Sequence, residues 1–288
     1  MPRQHLQPFH HLDTLWIQVA GTQCNLSCAH CFVPSGPGVN RHEMLSRLEV
    51  AARVAEGLAM GVKEIYFTGG EPFLHPEIER LVESTLAEAP LTVLTNGTLF
   101  TTRRVSWLAG LSRASKYSLE LRVSLDGTDA AAHDTLRGAG AWTRTMHGLR
   151  ALTDAGLLPI VTVTDHTRGN PLEFATKVTA VLREEGLAEP RVKVLPLFVL
   201  GRQAERQGHS PGKRPILWML PEEHFDPHRL QCGSCRAVTS RGVFVCPLLV
   251  DEPEARLGHT LEGSARPFGL DFEACYTCWM TRMTCANG

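Results

Sequence analysis

Cys24, Cys28 and Cys31 place three thiols within eight residues, in the run Cys24-Asn25-Leu26-Ser27-Cys28-Ala29-His30-Cys31. Thiolates are ligands for soft metals and for iron–sulfur clusters. A cubane [4Fe–4S] cluster has four irons, so three thiolates leave one iron open to a small molecule, whereas four close it for electron transfer. Zinc is the competing reading, because a structural zinc site takes four ligands and His30 and His42 are near in sequence. Six further cysteines follow at Cys232, Cys235, Cys246, Cys275, Cys278 and Cys285, while positions 32 to 231 hold none. Thiols kept only as small apolar side chains would scatter. Two islands imply two ligand-binding regions. The second contains two CxxC units, which a zinc ribbon would use as Cys₄, leaving Cys246 and Cys285 unexplained.

The elements that must position the first island repeat one pattern. The apolar run Leu15 to Ala20 reads as a strand leading into the cysteines. After a Pro/Gly-rich loop, helical spacing from about Leu45 to Met60 ends at Gly61, and Glu64 to Thr68 is a buried strand running into Gly69-Gly70-Glu71-Pro72. Further helices are predicted over Pro76 to Ala89, Arg103 to Leu111, Trp142 to Ala155 and Leu172 to Glu185. Strands are predicted over Leu91 to Thr95, Leu119 to Leu125, Pro159 to Thr164 and Val192 to Phe198. Six strands separated by helices imply right-handed crossovers and a parallel sheet. An open doubly wound sheet or a partial barrel fits, and in either the ligand lies at the strands' carboxyl ends. The cysteine loop, Gly69-Gly70-Glu71-Pro72, Thr95-Asn96-Gly97 and Ser124-Leu125-Asp126-Gly127 all stand at such ends, so they are expected to converge.

Composition excludes several classes. The 288 residues suit one large α/β domain plus a small appendage. With 29 basic and 30 acidic side chains there is no electrostatic footprint for nucleic acid and no polybasic membrane anchor. No apolar run approaches the roughly 20 residues of a membrane helix, and the N-terminus lacks a signal-peptide core. A reducing cytoplasm is the expected compartment, where cysteines serve as metal or redox ligands rather than disulfides. Gly201 to about Pro215 is polar and rich in breakers, which predicts a linker. The division expected is 1–200, a linker region 201–230, and a cysteine-rich 231–288 that depends on metal to fold. A hairpin is expected around Ser240-Arg241-Gly242.

Cys24-x3-Cys28-x2-Cys31 after strand one, with Gly69-Gly70-Glu71-Pro72 after strand two, resembles the radical S-adenosylmethionine (SAM) superfamily over about residues 14 to 200. The resemblance implies an α/β fold, a partial (β/α)6 TIM-like barrel with a small cysteine-rich C-terminal domain. It implies that Cys24, Cys28 and Cys31 ligate a [4Fe–4S] cluster whose open iron is chelated by SAM. One-electron cleavage would then yield a 5′-deoxyadenosyl radical that takes hydrogen from an unactivated carbon. Gly69, Gly70 and Glu71 would receive SAM's methionine moiety, with the glycines permitting close backbone approach and Glu71 accepting from the ammonium. Thr95, Asn96, Ser124 and Asp126 resemble the family's third- and fourth-strand ends, Arg137 would reach the SAM carboxylate, and His30 would stack on adenine where the family prefers an aromatic residue.

The tail, with Arg241-Gly242-Val243-Phe244-Val245-Cys246 ending a hairpin, resembles the SPASM and Twitch extensions that hold auxiliary Fe–S clusters. Six thiols do not complete two cubanes. Either one cluster takes four with two left over, or two take three each; His224, His228 and Asp251 are candidate further ligands. Cys232, Cys235 and Cys246 also resemble the three-cysteine auxiliary site of the family member that starts molybdenum-cofactor synthesis. The implied partners are a reductant such as flavodoxin or ferredoxin, and a peptide or small-metabolite substrate. Few residues precede the first strand, so leader-peptide recognition would fall to a separate leader-binding protein. A zinc-stabilised binding module without radical chemistry is the alternative from another class.

Overall fold

The computed structural model describes residues 4–166, 169–209 and 212–282. A two-residue strand, β1 (Leu6–Gln7), precedes β2 (Thr14–Gln18). Then come α1 (Arg47–Ala59), β3 (Glu64–Thr68), α2 (Ile78–Leu86), β4 (Leu91–Thr95), α3 (Thr102–Ala114) and β5 (Leu119–Leu125). Two helices follow, α4 (Ala130–Arg137) and α5 (Ala141–Asp154), before β6 (Ile160–Asp165), α6 (Pro171–Glu184) and β7 (Arg191–Pro196). The remainder holds α7 (Gly201–Arg206), β8 (Cys235–Thr239), β9 (Gly242–Phe244), β10 (Arg256–Gly258), β11 (Phe268–Gly269) and α8 (Glu273–Thr281).

Local chemistry starts the helices where they start. Ser46 caps α1 in a reciprocal capping box with Glu49, Thr101 caps α3, and Asn170 caps α6 with Pro171 in its first turn. Sequence periodicity does not predict α4, a single amphipathic stretch capped by Asp129, whose side chain accepts from Ala132 N.

Strands β2 to β7 pair in parallel and in strict sequence order. A doubly wound sheet needs a point where the order reverses, and there is none among these six. Crossovers of one hand then lay every helix on one face of the sheet. The side chains agree: Leu121, Val123 and Leu125 of β5, and Val161 and Val163 of β6, join the helix-side core. Their neighbours Arg122, Ser124, Thr162 and Thr164 face a cavity on the other side. This is the strand order of the expected partial barrel.

The tail departs from the sequence expectation. Strand β8 pairs in parallel with β2 from Thr14↔Cys235 to Ile17↔Val238, and β9 and β10 add antiparallel beyond it. The nine-stranded sheet therefore runs from the six parallel strands β2 to β7 into the cysteine-rich segment without a break. β1 pairs with β11, tying the N-terminal segment to the tail as well. The predicted linker is a packed connection: α7 is followed by 3₁₀ turns at Ile216–Met219, Glu222–His224 and Pro227–Arg229. Leu217 and Leu230 are buried in the tail's apolar cluster, and that anchoring is the reason a breaker-rich stretch holds one course.

Candidate functional site

The cysteine loop leaves the carboxyl end of β2 and is held from several sides. Gly70 N donates to Gly21 O at 2.8 Å and Glu71 N to Gln23 O at 2.9 Å, so the turn after β3 hydrogen-bonds to the loop's approach. A Cβ on Gly70 would stand 2.0 Å from Gln23 O, and Gly69 adopts φ +133°. Only glycine permits that approach. From α7, Arg202 donates to Cys28 O at 3.1 Å and to Ser35 O at 2.7 Å, and its backbone N–H to Cys31 O at 3.0 Å. Ala29 N donates to Leu136 O at 2.7 Å, docking the loop on α4.

The three thiols enter one cavity of about 220 Å³ together with Gly69, Gly70, Thr95, Asn96, Ser124, His30 and Arg137. The four strand-end motifs therefore converge as expected. Burial pushes the Cys24 thiol up to about 12, against the Leu26 N–H that stabilises its sulfur, and burial also pushes Cys28 up despite Arg137. Thiols in such a place ionise when a metal replaces the proton. Tetrahedral zinc would draw sulfurs to roughly 3.8 Å of one another, given Zn–S bonds near 2.3 Å. Among the described residues, three metal-ligating donors within 4.8 Å of one another occur at His30, Asp126 and His166, and not at the three cysteines. Three cysteine sulfurs entering one cavity are the donor type that an iron–sulfur cluster takes. His42, the other zinc candidate, is buried between Gln18 Oε1 at 2.6 Å and Asp251 Oδ1 at 3.2 Å.

Two of the expected ligand-binding carboxylates hold donors of the chain itself. Glu71 is fully buried, and its carboxylate accepts from Phe73 N at 3.1 Å, Thr95 Oγ1 at 2.8 Å and Asn96 N at 2.8 Å. It ties the end of β3 to the end of β4, and does not line the cavity. Burial pushes its pKa up, against those three donors. Asp126 is also fully buried and is held by Arg137 Nε at 2.5 Å, His30 Nε2 at 3.1 Å and Thr164 N at 3.2 Å. Burial raises its pKa, but Arg137 and His30 outweigh that and hold the carboxyl well below the usual range. Asp126 acts through its neighbours, since it aims two cavity-lining groups, Arg137 and His30. His30 meets His166 edge-on, with ring centroids 5.2 Å apart. The His30–Asp126–His166 trio already has its cation, the Arg137 guanidinium.

Sequence reasoning missed part of the cavity wall. Arg122 lies within the strand run Leu119-Glu120-Leu121-Arg122-Val123-Ser124-Leu125, is 2% exposed, and contacts Thr162 Oγ1 at 3.4 Å. A charge alternating with apolar residues was the available signal. Trp16 and Gln18 of β2, and Ala237, Val238 and Leu248 from the tail, complete the wall. Trp16 Nε1 and His30 Nδ1 are buried here with no hydrogen-bond partner among the described residues, which is the mark of a site that receives a ligand.

In the tail, Cys235 and Cys275 are buried within one apolar cluster, and Cys232, Cys246 and Cys278 pack against it. Burial and then the neighbouring Cys246 push Cys275 up to about 12, so the hairpin and α8 bring thiols together. None of the eight described cysteines is in a disulfide. Of the candidate further ligands, Asp251 is held by Arg41 at 2.7 Å and His42 at 3.2 Å, and His224 and His228 are exposed. Cys285 lies outside the described residues.

The fold and site define a class: a parallel α/β sheet presenting three thiols, a glycine turn and buried polar strand ends around one cavity. Residues 19–187 match the Radical SAM superfamily model. The chain belongs to the radical SAM superfamily. It is 29% identical over 159 residues to a GTP 3′,8-cyclase of Petrotoga mobilis, covering 52% of this chain and 45% of that protein. It is 31% identical over 207 residues to the AdoMet-dependent heme synthase of Methanosarcina barkeri, covering 70% of this chain and 56% of that one. The matched stretches span about half the length of these curated relatives. In fold, it is similar to Streptococcus suis SuiB bound to S-adenosylmethionine, with TM-score 0.62 and 16% identity over 86% of this chain and 63% of that one.

Proposed function

We propose that this chain is a radical SAM enzyme: it binds a [4Fe–4S] cluster through Cys24, Cys28 and Cys31, cleaves SAM, and abstracts hydrogen from a substrate held between barrel and tail. The observation that carries this reading is the convergence of the three thiols with Gly69, Gly70, Thr95, Asn96, Ser124 and Arg137 on one cavity. When bound, the cluster supplies the electron that splits SAM into methionine and a 5′-deoxyadenosyl radical. The residues supply the rest. The glycine turn offers backbone groups to SAM's amino end, in place of the occupied Glu71 carboxylate. Arg137, aimed by Asp126, attracts the SAM carboxylate, and His30 presents its ring to the adenine. The apolar wall from β7 and the tail excludes water from the radical.

The tail thiols fit an auxiliary iron–sulfur site better than separate zinc knuckles, since Cys235 and Cys275 share one apolar cluster against which Cys232, Cys246 and Cys278 pack. Held by the tail thiols, such a site would accept an electron from the substrate or anchor it, and a flavodoxin or ferredoxin would supply the reducing electron. The substrate is a peptide or a small metabolite. Among the described residues no helix is long and apolar enough to cross a membrane, and the cytoplasm remains the proposed compartment. The test is anaerobic: protein reconstituted with iron and sulfide, then given SAM and a low-potential reductant, forms 5′-deoxyadenosine. Replacing Cys24, Cys28 and Cys31 by alanine abolishes it. A fully loaded chain that leaves SAM intact overturns the reading.

A further inference from the structure

The tail carries a buried charge that the barrel chemistry does not use. Arg236, on β8 beside Cys235, is 1% exposed and heads the fully buried side chains by volume. Its Nε and Nη2 donate to Ser264 O at 3.0 and 2.9 Å, and Nη2 also to Arg266 O at 3.2 Å. Nη1 donates to Cys232 O at 2.9 Å and Cys235 O at 2.7 Å. The guanidinium carbon lies 4.0 Å from the centroid of the Phe9 ring. Every acceptor is a neutral carbonyl, and among the described residues Arg236 forms no ion pair with a carboxylate.

Carbonyl dipoles orient a guanidinium without cancelling its charge, and an uncompensated buried charge is costly. Cys232 and Cys235, whose carbonyls the guanidinium holds, can supply the missing counter-charge only as thiolates, and buried thiolates persist when a metal holds them. The cation and the thiolate site therefore solve each other's burial problem.

We propose that Arg236 is the built-in counter-charge of the tail's thiolate iron–sulfur site, a positioning residue that pins the Cys232 and Cys235 backbone and raises that site's reduction potential. This rests on the reading that the tail thiols hold an auxiliary cluster. Reduction adds one negative charge to a cluster, so a fixed cation favours the reduced form, and net charge and hydrogen bonding near the sulfurs are known levers on potential.

The test uses the full chain with Cys24→Ala, Cys28→Ala and Cys31→Ala, so that the remaining iron is tail iron. This parent, its R236K derivative and its R236Q derivative are reconstituted anaerobically with ferrous iron and sulfide. Iron per chain and the midpoint potential, from an EPR-monitored titration, are compared. R236K is expected to keep the iron and a midpoint near the parent's, while R236Q shifts the midpoint to lower potential or loses the iron. An R236Q chain with full iron and an unmoved midpoint overturns the proposal. So does R236K losing iron as completely as R236Q, because a retained positive charge would then contribute nothing to the site. Where R236Q does not fold, R236K decides alone by the same two readouts. A parent without tail iron overturns the auxiliary-cluster reading before any change at Arg236, and the proposal falls with it.

Discussion

Polar residues at the strand ends divide into those that face the cavity and those that hold the facing groups in place. Glu71 and Asp126 belong to the second kind, because each satisfies three donors and neither reaches the cavity surface. His133, behind them on α4, is fully buried, and its Nδ1 accepts from Asp126 N at 3.1 Å. Burial, then Arg137, push His133 down from 6.5 to about 4. The folded state thus prefers the neutral ring, and the unfolded chain binds the proton first. Stability from this group is full above pH 6.5 and is lost as pH falls from 6.5 toward about 4. The difference is on the order of 3 kcal/mol. Urea titrations across that window are expected to show a smaller pH slope for His133→Phe than for the parent; equal slopes contradict the assignment.

At the level of elements, the site depends on how closely the turn after β3 approaches the loop after β2. Gly70 is the contact point, since a methyl group there meets backbone, at Gln23 O, rather than a side chain that could rotate away. Gly70→Ala is expected to cost about 1–3 kcal/mol through overpacking and to displace the cysteine loop. Iron analysis then reads the loss of about four irons per chain, with tail iron retained. Unchanged iron in Gly70→Ala would mean that the loop finds its ligands without this contact. Helix α7 works from the other side through Arg202, and it lies in a stretch whose composition predicts a linker.

For the whole molecule, the six parallel strands and the tail share one sheet. β8 covers the edge of β2, and Ala237, Val238, Pro247, Leu248 and Val250 wall the cavity. A chain ended at residue 230 is therefore expected to expose the β2 edge and the apolar cavity wall, and to aggregate. Size-exclusion chromatography and solubility measure this. A monomeric, cooperatively melting product of that length would establish the barrel segment as an independent domain and set aside the coupling. Loss of the tail also removes the Asp251 end of the Gln18–His42–Asp251 chain, stranding a buried imidazole.

Sequence alone located the three thiols of the first island and the six strands that alternate with helices, while their order in the sheet stayed open between a doubly wound sheet and a partial barrel until the structure showed it. Thiol spacing is a local property, and a strand with one apolar face on the helices leaves a short periodic signal in the sequence. Local signals failed at α4, one short helix beside a longer one, and at α7. They also could not say which polar strand-end residue faces the ligand: Glu71 and Arg137 are both charged, and only packing turns one inward to backbone donors and the other to the cavity. The tail's place was equally out of reach, because pairing β8 with β2 joins residues far apart in the chain. That long-range pairing buries Arg236 among thiols and gives the cavity its closing wall.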